Sequence, residues 1–409
     1  MSRYAFYVLV LFVFSLPWQD FIFLPGSSVL SISRLSGLLL IVAGLASTLR
    51  RGTVRLRTPP VTLVLTLLFA LWTLVASLWN PWNSAGNLLY ISTYVQLAIM
   101  SVLFWQLCRT KEQHMTLMQA FVFGAYVVSS QIIYQYLTNP FVPNSEQSMA
   151  RYTGLGGNPN GVATMIALAI PMAWYLGSFW SRGLLRWLNY LYIPMTIFAV
   201  ILTGSRGGSL VALVALLVIP FTFGYVRRWV RAAVVLSAVA ATVTLFSAVP
   251  PENFARVTET SSEISDGNVS NRSQIWSAGL VLYEKHPIVG IGTLSFPRRV
   301  ETVLGYSTGM HNAFLLVLVE FGIVGFILFA ANFIVVLLPL LRLPGPDKML
   351  YLCLWLALVV SMLPSNVENS QHVWALLIFM ATRRAYRLSL FADQPSVARG
   401  GAAKPFPSP

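Results

Sequence analysis

A short glycine-rich turn presents an arginine in a position suited to phosphate binding. Residues 203–208 are Thr-Gly-Ser-Arg-Gly-Gly and lie between two apolar stretches. Glycines allow a tight turn and a close approach of the backbone to a ligand. Arg206 then stands at a helix start, where free N–H groups and the helix dipole favour an anion. The pattern predicts either a phosphate clamp or a plain inter-helix turn whose arginine contacts lipid headgroups.

Two further arginines occupy comparable positions. Arg272 follows the sequence Asn-Val-Ser-Asn at 268–271, whose residues are common helix caps, and it precedes a helical pattern. Arg151 lies ahead of the turn Gly-Asn-Pro-Asn-Gly at 157–161. A single surface arginine is usually just solvated. Because each of these adjoins a glycine or a helix start, they are candidates for the same anion site as Arg206.

His311 opens a long apolar stretch and is the candidate general base. An imidazole at the boundary between membrane and water titrates near neutral pH, although an isolated histidine there is more often a capping residue. Glu320 lies in the same stretch, half a turn out of phase with His311 at 3.6 residues per turn. We therefore expect Glu320 to face away from His311 and to hold helices together.

Other chemical patterns are weaker. The Gly-Tyr-Ser-Thr-Gly sequence at 305–309 fits the serine-hydrolase pattern but lacks the strand that should precede it. His286 and His372 are expected to be structural. Neither a zinc-protease motif nor a phosphate-binding loop with Gly-Lys is present, so we expect no metal and no cofactor.

Composition defines the elements that must position these side chains. Of the 409 residues, 56% are hydrophobic and 10% are charged, which excludes a water-soluble fold. Apolar runs near the roughly 20 residues needed to cross a bilayer recur along the chain. We predict an all-α polytopic membrane protein with a single transmembrane catalytic domain over 1–390 and a disordered tail over 391–409. About twelve spans are expected, at 4–24, 28–48, 60–79, 87–108, 114–137, 158–180, 187–203, 208–224, 231–249, 311–340, 348–364 and 372–388.

Basic residues predict the orientation of the spans. Most Lys and Arg residues fall in the connections on the side that holds both termini, so that side is expected to be cytoplasmic and the net charge of +14 needs no nucleic acid partner. The long connections, 138–157 and 250–310, then lie outside. Within the second we expect an amphipathic helix over 273–285 on the membrane surface. Its predicted apolar face consists of Ile275, Trp276, Gly279, Leu280 and Tyr283.

Taken together, these motifs and their order resemble the O-antigen ligase and polymerase superfamily of Gram-negative bacteria. The resemblance rests on four features. They are the 204–208 turn, Arg272 in a long outer loop, the His-Pro-Ile-Val-Gly-Ile-Gly sequence at 286–292, and an apolar stretch that begins at His311 and continues to the Glu-Phe-Gly sequence at 320–322. It implies a glycosyltransferase of the bacterial inner membrane whose site faces the periplasm. In its length and its one dominant outer loop, the chain is most similar to the ligases that attach O-antigen to lipid A-core.

The resemblance also implies a mechanism. The donor is O-antigen carried on undecaprenyl pyrophosphate, and the acceptor is a sugar hydroxyl of lipid A-core. Arg206 and Arg272, with Arg151 as an outer candidate, are expected to bind the pyrophosphate without a metal. His311 is expected to take the proton of the attacking hydroxyl, and a single displacement inverts the anomeric carbon.

Three alternatives stay open. An O-antigen polymerase or an O-linked oligosaccharyltransferase belongs to the same superfamily. A transporter of polyprenyl lipid or solute has similar hydropathy, but it tends to place polar groups at the bilayer midplane, and Glu320 is the one acid clearly inside a span. A purely structural scaffold gives no reason for Arg206 and His311 to begin helices on one side.

Overall fold

The protein is helical throughout the part of the chain that the structure describes. This computed structural model describes residues 3–19, 32–49, 57–80, 85–138, 151–154, 157–236 and 272–392. These ranges contain helices and turns but no strand. The longer helices are Arg3–Ser15, Ile32–Leu49, Val61–Ala76, Ala85–Leu107, Lys111–Thr138, Pro159–Leu168, Gly183–Leu202, Arg206–Leu216, Arg272–Lys285, Phe296–Leu304, Ala313–Leu340, Gly345–Met362 and Gln371–Ala392.

Many of these helices are long and apolar enough to cross a membrane. Among the described residues, 7 meet both conditions, and three shorter apolar helices occur at Arg3–Trp18, Ile32–Ser47 and Ser92–Leu107. The all-α polytopic membrane fold is thus confirmed. The count of twelve remains a prediction, since the ninth span continues beyond 236 into residues outside the described ones. Of the tail predicted over 391–409, the first two residues end the Gln371–Ala392 helix and the rest lies outside the described residues, as do the caps at 268–271.

Contacts between distant parts of the chain define two ends of the helical bundle. At one end, Arg57 Nη1 donates to the carbonyl oxygens of Trp105 and Cys108 at 3.0 and 3.1 Å. Asp347 and Arg383 form an ion pair near the same end. We call this the basic end, because Arg3 and the connections at 108–111 and 341–344 also lie there.

The other end holds the connections that contain the predicted site residues. There, His372 Nδ1 lies 3.3 Å from Gln19 Oε1, and Asn80 Nδ2 donates to Thr293 O at 2.7 Å. We call this end the mouth. The described spanning helices run between the basic end and the mouth, so the connections bring residues that are far apart in sequence together.

The helix predicted in the long outer loop is present but packs differently from the prediction. It spans Arg272–Lys285, and its buried side chains include Ile275 and Leu282, which pack against the Phe296–Leu304 helix and the start of Ala313–Leu340. Leu280 was predicted on the apolar face but is 44% exposed. The other four residues of the predicted face are buried or half-buried, so this face packs on protein.

Candidate functional site

The 203–205 turn places Arg206 at the first position of a helix. Ser205 caps this helix, since its side-chain oxygen accepts a hydrogen bond from Gly208 N at 3.0 Å. The cap satisfies one of the free N–H groups at the helix start. Arg206 itself is partly exposed at the mouth. The predicted helix-start position of Arg206 is therefore present in the structure.

Arg151 is held against the same turn. Its Nε donates to Thr203 O at 3.2 Å, and its Nη2 donates to Asn160 Oδ1 at 2.8 Å. One of these donors attaches the 151–154 segment to the turn, and the other attaches it to the start of the Pro159–Leu168 helix. Arg151 lies beside the Arg206 turn, but its guanidinium has a structural task there.

Arg272 and Arg206 lie close enough to interact. Arg272 begins the Arg272–Lys285 helix and is partly buried. Its pKa is lowered by this burial and, in second place, by the positive charge of Arg206. Two guanidinium groups that repel each other in this way form a positive site that an anion would stabilise.

His311 stands next to this positive site. Burial lowers its pKa from the ordinary value of 6.5, and the positive charge of Arg272 lowers it further. Both causes favour the neutral imidazole, which is the form that accepts a proton. The structure therefore brings Arg206, Arg272 and His311 into one group, with Arg151 attached to its edge.

The backbone at His311 has an unusual conformation. Its φ is +52°, in the left-handed region that side chains with a Cβ rarely adopt. The next residue, Asn312, caps the Ala313–Leu340 helix, since its Oδ1 accepts from Leu315 N at 3.1 Å. On the other side, Met310 O accepts from Trp276 Nε1 at 3.0 Å. These two hydrogen bonds hold the backbone around His311 in its strained conformation.

The connection at 363–370 also reaches the site, which the sequence analysis missed. A Cβ built on Gly309 would lie 2.5 Å from Asn366 Nδ2 and 3.9 Å from His311 Nε2. A Cβ on Gly207 would lie 3.0 Å from Pro364 Cγ. This connection is therefore in contact with both the Arg206 turn and the segment before His311. The only signal in the sequence was its polar composition between two predicted outer span ends.

Glu320 holds together two of the elements next to the site. Its two carboxyl oxygens accept from Leu294 N at 3.0 Å and from Phe296 N at 3.1 Å. Glu320 is buried and joins the start of the Phe296–Leu304 helix to the Ala313–Leu340 helix. The expectation that Glu320 holds elements together agrees with these contacts.

The 286–292 sequence runs beside a break in the same helix. Gly322 interrupts Ala313–Leu340 with φ +66° and ψ −170°, and Ile323 N donates to Pro287 O at 2.9 Å across the break. Gly292 N donates to Glu320 O at 2.9 Å. A Cβ on Gly322 would overlap the Ile288 carbonyl oxygen, and one on Gly290 would overlap the Glu320 carbonyl oxygen. Both glycines are required because two backbones meet there.

Nearby side chains satisfy the remaining polar groups around this break. Trp72 Nε1 donates to Phe321 O at 2.9 Å, and Thr293 Oγ1 donates to Thr73 O at 2.7 Å. A broken helix at membrane depth needs such partners, since water is not available to its freed carbonyl groups. The Val61–Trp79 helix therefore anchors the 286–296 segment, which in turn positions the helices on either side of His311.

One part of the chain matches a known protein family. Residues 191–330 match the family model described as O-Antigen ligase. This stretch contains Arg206, Arg272, His311 and the break at Gly322, whereas Arg151 and Asn366 lie outside it. No curated protein matches the chain. The matching region covers about a third of the chain and, with the helical membrane fold, supports membership of the O-antigen ligase superfamily.

Proposed function

We propose that the protein is an O-antigen ligase. It transfers O-antigen from undecaprenyl pyrophosphate to a sugar hydroxyl of lipid A-core at the periplasmic face of the bacterial inner membrane. The observation that carries this proposal is the electrostatic grouping of Arg206, Arg272 and His311 at the mouth. It supplies cationic groups for a pyrophosphate beside a neutral base.

The donor brings its own activation to this site. A sugar pyrophosphate has a good leaving group, so it needs neutralisation of charge more than protonation. In the proposed reaction, Arg206 and Arg272 bind the pyrophosphate and stabilise the negative charge that grows as the bond to the anomeric carbon breaks. Arg151 contributes from the edge of the site while it holds the turn. The reaction requires neither a metal ion nor another cofactor.

The acceptor hydroxyl is activated by His311. The hydroxyl oxygen forms a bond to the anomeric carbon, the electron pair of the old bond leaves on the pyrophosphate, and the imidazole takes the hydroxyl proton. Such a proton transfer contributes roughly 10²–10⁴ to the rate. Attack opposite the leaving group inverts the anomeric configuration. The products are lipopolysaccharide and undecaprenyl pyrophosphate.

The membrane fold suits substrates that carry lipid tails. Both the polyprenyl donor and the lipid A-core acceptor remain in the bilayer while their sugars meet at the mouth. Exposed apolar side chains near the site, Ile288, Val303 and Tyr306, offer contacts for such lipids. In this proposal the mouth faces the periplasm, and both termini and the basic end face the cytoplasm.

Transfer by the purified protein tests the proposal. The protein is mixed with undecaprenyl-pyrophosphate-linked O-antigen and lipid A-core in the presence of EDTA, and the lipopolysaccharide is followed by electrophoresis. We expect a mobility shift of the lipid A-core band. Lengthening of the lipid-linked glycan alone would instead assign a polymerase, and glycosylation of an added acceptor protein would assign an oligosaccharyltransferase. Accumulation of labelled donor in sealed vesicles without any transfer would assign a transporter.

A further inference from the structure

A cavity at the basic end is built to receive an anion. Its volume is about 370 Å³, within the range of ligand-binding clefts. It lies at the opposite end of the bundle from His311 and plays no part in the proposed transfer. The residues that line it are Arg3, Phe6, Tyr7, Gln106, Leu107, Arg109 and Gln113.

Two guanidinium groups dominate the charge of this cavity. Arg3 and Arg109 both line it, and none of the described residues that line it is a carboxylate. The nearest acid along the chain, Glu112, is exposed and adjacent to Lys111. A nearby cation adds to the field, because the positive charge of Arg109 contributes, after burial, to a lowered pKa of Arg57.

The helix end beside the cavity does not cancel this positive charge. The Ala85–Leu107 helix ends here, and its last carbonyl groups carry partial negative charge. Arg57 Nη1 donates to the carbonyls of Trp105 and Cys108, and Arg109 Nε donates to that of Gln106 at 2.8 Å. These hydrogen bonds satisfy the carbonyl oxygens, and Arg109 uses its Nε for them.

The polar lining is arranged to present donors. Gln113 Oε1 accepts from the backbone N of Arg109 at 2.8 Å and of Thr110 at 3.1 Å. The acceptor end of this amide is therefore occupied, which leaves its NH₂ group to face a ligand. Gln106 is fixed by Arg57, since Arg57 N donates to its Oε1 at 3.1 Å and its Nε2 donates to Arg57 O at 3.3 Å. The groups that remain for a ligand are donors and cations.

One wall of the cavity continues into a surface that faces the lipid. Tyr4, Tyr7 and Leu11 lie on one side of the Arg3–Ser15 helix and are 78%, 64% and 47% exposed. Tyr7 also lines the cavity. The cavity thus opens where an apolar helix face reaches the polar end of the bundle. A ligand that fits both features has an anionic head and an apolar tail.

We propose that this cavity binds the phosphodiester headgroup of an anionic phospholipid from the leaflet at the basic end. The phosphate contacts Arg3 and Arg109, and the acyl chains lie along the face formed by Tyr4, Tyr7 and Leu11. Basic pockets between transmembrane helices recognise anionic headgroups in this way. The proposal does not depend on the transfer reaction at the mouth.

Native mass spectrometry of the purified full-length chain tests this site. The protein in detergent micelles is titrated with phosphatidylglycerol or with phosphatidylcholine. We expect tighter binding of phosphatidylglycerol, and a loss of roughly tenfold or more in that affinity in the double variant Arg3→Gln and Arg109→Gln. Phosphatidylcholine binding should not change. Arg182→Gln, which alters an exposed arginine at the same end outside the cavity, is the matched control.

Two further measurements distinguish lipid binding from binding of a free anion, and a lost site from a folding defect. Inorganic phosphate that displaces the bound lipid at low millimolar concentration would overturn the lipid assignment in favour of a soluble anion. Equal phosphatidylglycerol affinity in the wild type and the double variant would overturn the site itself. If the double variant fails to fold, Arg3→Gln alone carries the test, because Arg3 is exposed and its replacement leaves the Arg109 hydrogen bonds in place.

Discussion

His311 combines a strained backbone with a charged neighbour. Its left-handed φ of +52° is held between the cap at Asn312 and the hydrogen bond from Trp276 to Met310. Arg272 contributes to the low pKa of the imidazole. Strain of this kind is retained where the surrounding contacts require one conformation. In the proposed reaction it fixes the ring beside the pyrophosphate site.

The first prediction concerns the pH dependence of transfer. Because the base must be neutral and its pKa is lowered, kcat/KM should rise with pH and reach half of its maximum below 6.5, the ordinary histidine value. Arg272→Gln removes one of the two causes of the lowered pKa. The variant should be slower overall, and its half-maximal pH should move upward. A pH–rate profile of both proteins measures this, and a midpoint that stays in place or falls would separate Arg272 from His311.

The types of the site residues were visible in the sequence, but their contacts were not. Arg206, Arg272 and His311 stood at helix starts on one predicted side, which suggested a common site. Sequence spacing did not predict that Arg151 hydrogen-bonds to the turn at Thr203. It also did not predict that Asn366 lies close to Gly309, beside His311. Both depend on the packing of helices that are distant in sequence, and hydrophobic periodicity contains no information about that packing.

At the scale of elements, the broken helix Ala313–Leu340 is the main support of the site. The 286–296 segment pairs with it on both sides of Gly322, while Glu320 accepts two N–H groups of the same segment. Arg272 begins the Arg272–Lys285 helix and His311 lies just before the Ala313–Leu340 helix, and the 286–296 segment contacts the second helix directly after the first ends. Its geometry therefore sets how the two groups face each other.

The second prediction is that Gly322→Ala destabilises the protein strongly. A Cβ there would overlap the Ile288 carbonyl oxygen, which is backbone and has little room to move, and the positive φ adds roughly 1–3 kcal/mol of strain. The melting temperature in detergent should fall by several degrees, or folded protein should be lost. Gly224→Ala is the control, since no atom lies within 4 Å of its built Cβ. Equal melting temperatures for Gly322→Ala and the wild type would contradict the account of the break.

Hydropathy predicted the positions of the helices well but not their irregularities. The predicted span 311–340 corresponds to Ala313–Leu340, and 348–364 corresponds to Gly345–Met362. The break at Gly322 was missed, because a single glycine within an apolar run does not alter the hydropathy. The apolar face of the Arg272–Lys285 helix was predicted to lie on the membrane surface, but four of its five residues are buried or half-buried on protein, and Leu280 is exposed.

At the scale of the whole molecule, the bundle separates two kinds of surface. The mouth gathers the connections that carry the proposed site, while the basic end gathers arginines and the proposed lipid cavity. Each spanning helix of about 20 residues is about 30 Å long, comparable to the hydrocarbon thickness of a membrane. In the proposed function, the bilayer therefore separates the transfer site at the mouth from the arginines at the basic end.

The third prediction concerns the orientation of these two ends. The chain contains only two cysteines, Cys108 and Cys353, and both are buried and free. In intact cells whose outer membrane is permeable, Ser307→Cys at the mouth should react with a membrane-impermeant maleimide. Arg182→Cys at the basic end should react only after the inner membrane is opened. The reverse pattern would contradict the orientation that the basic residues predict.

The most direct test of the central claim is glycan transfer by a His311→Ala protein with His286→Ala as its matched control. His286 is an exposed histidine near the mouth, and its side chain has no part in the proposed reaction. We predict that His311→Ala folds normally but transfers O-antigen to lipid A-core at least about 10²-fold more slowly, while His286→Ala transfers at the rate of the wild type. Transfer by His311→Ala at the rate of the wild type would contradict the account.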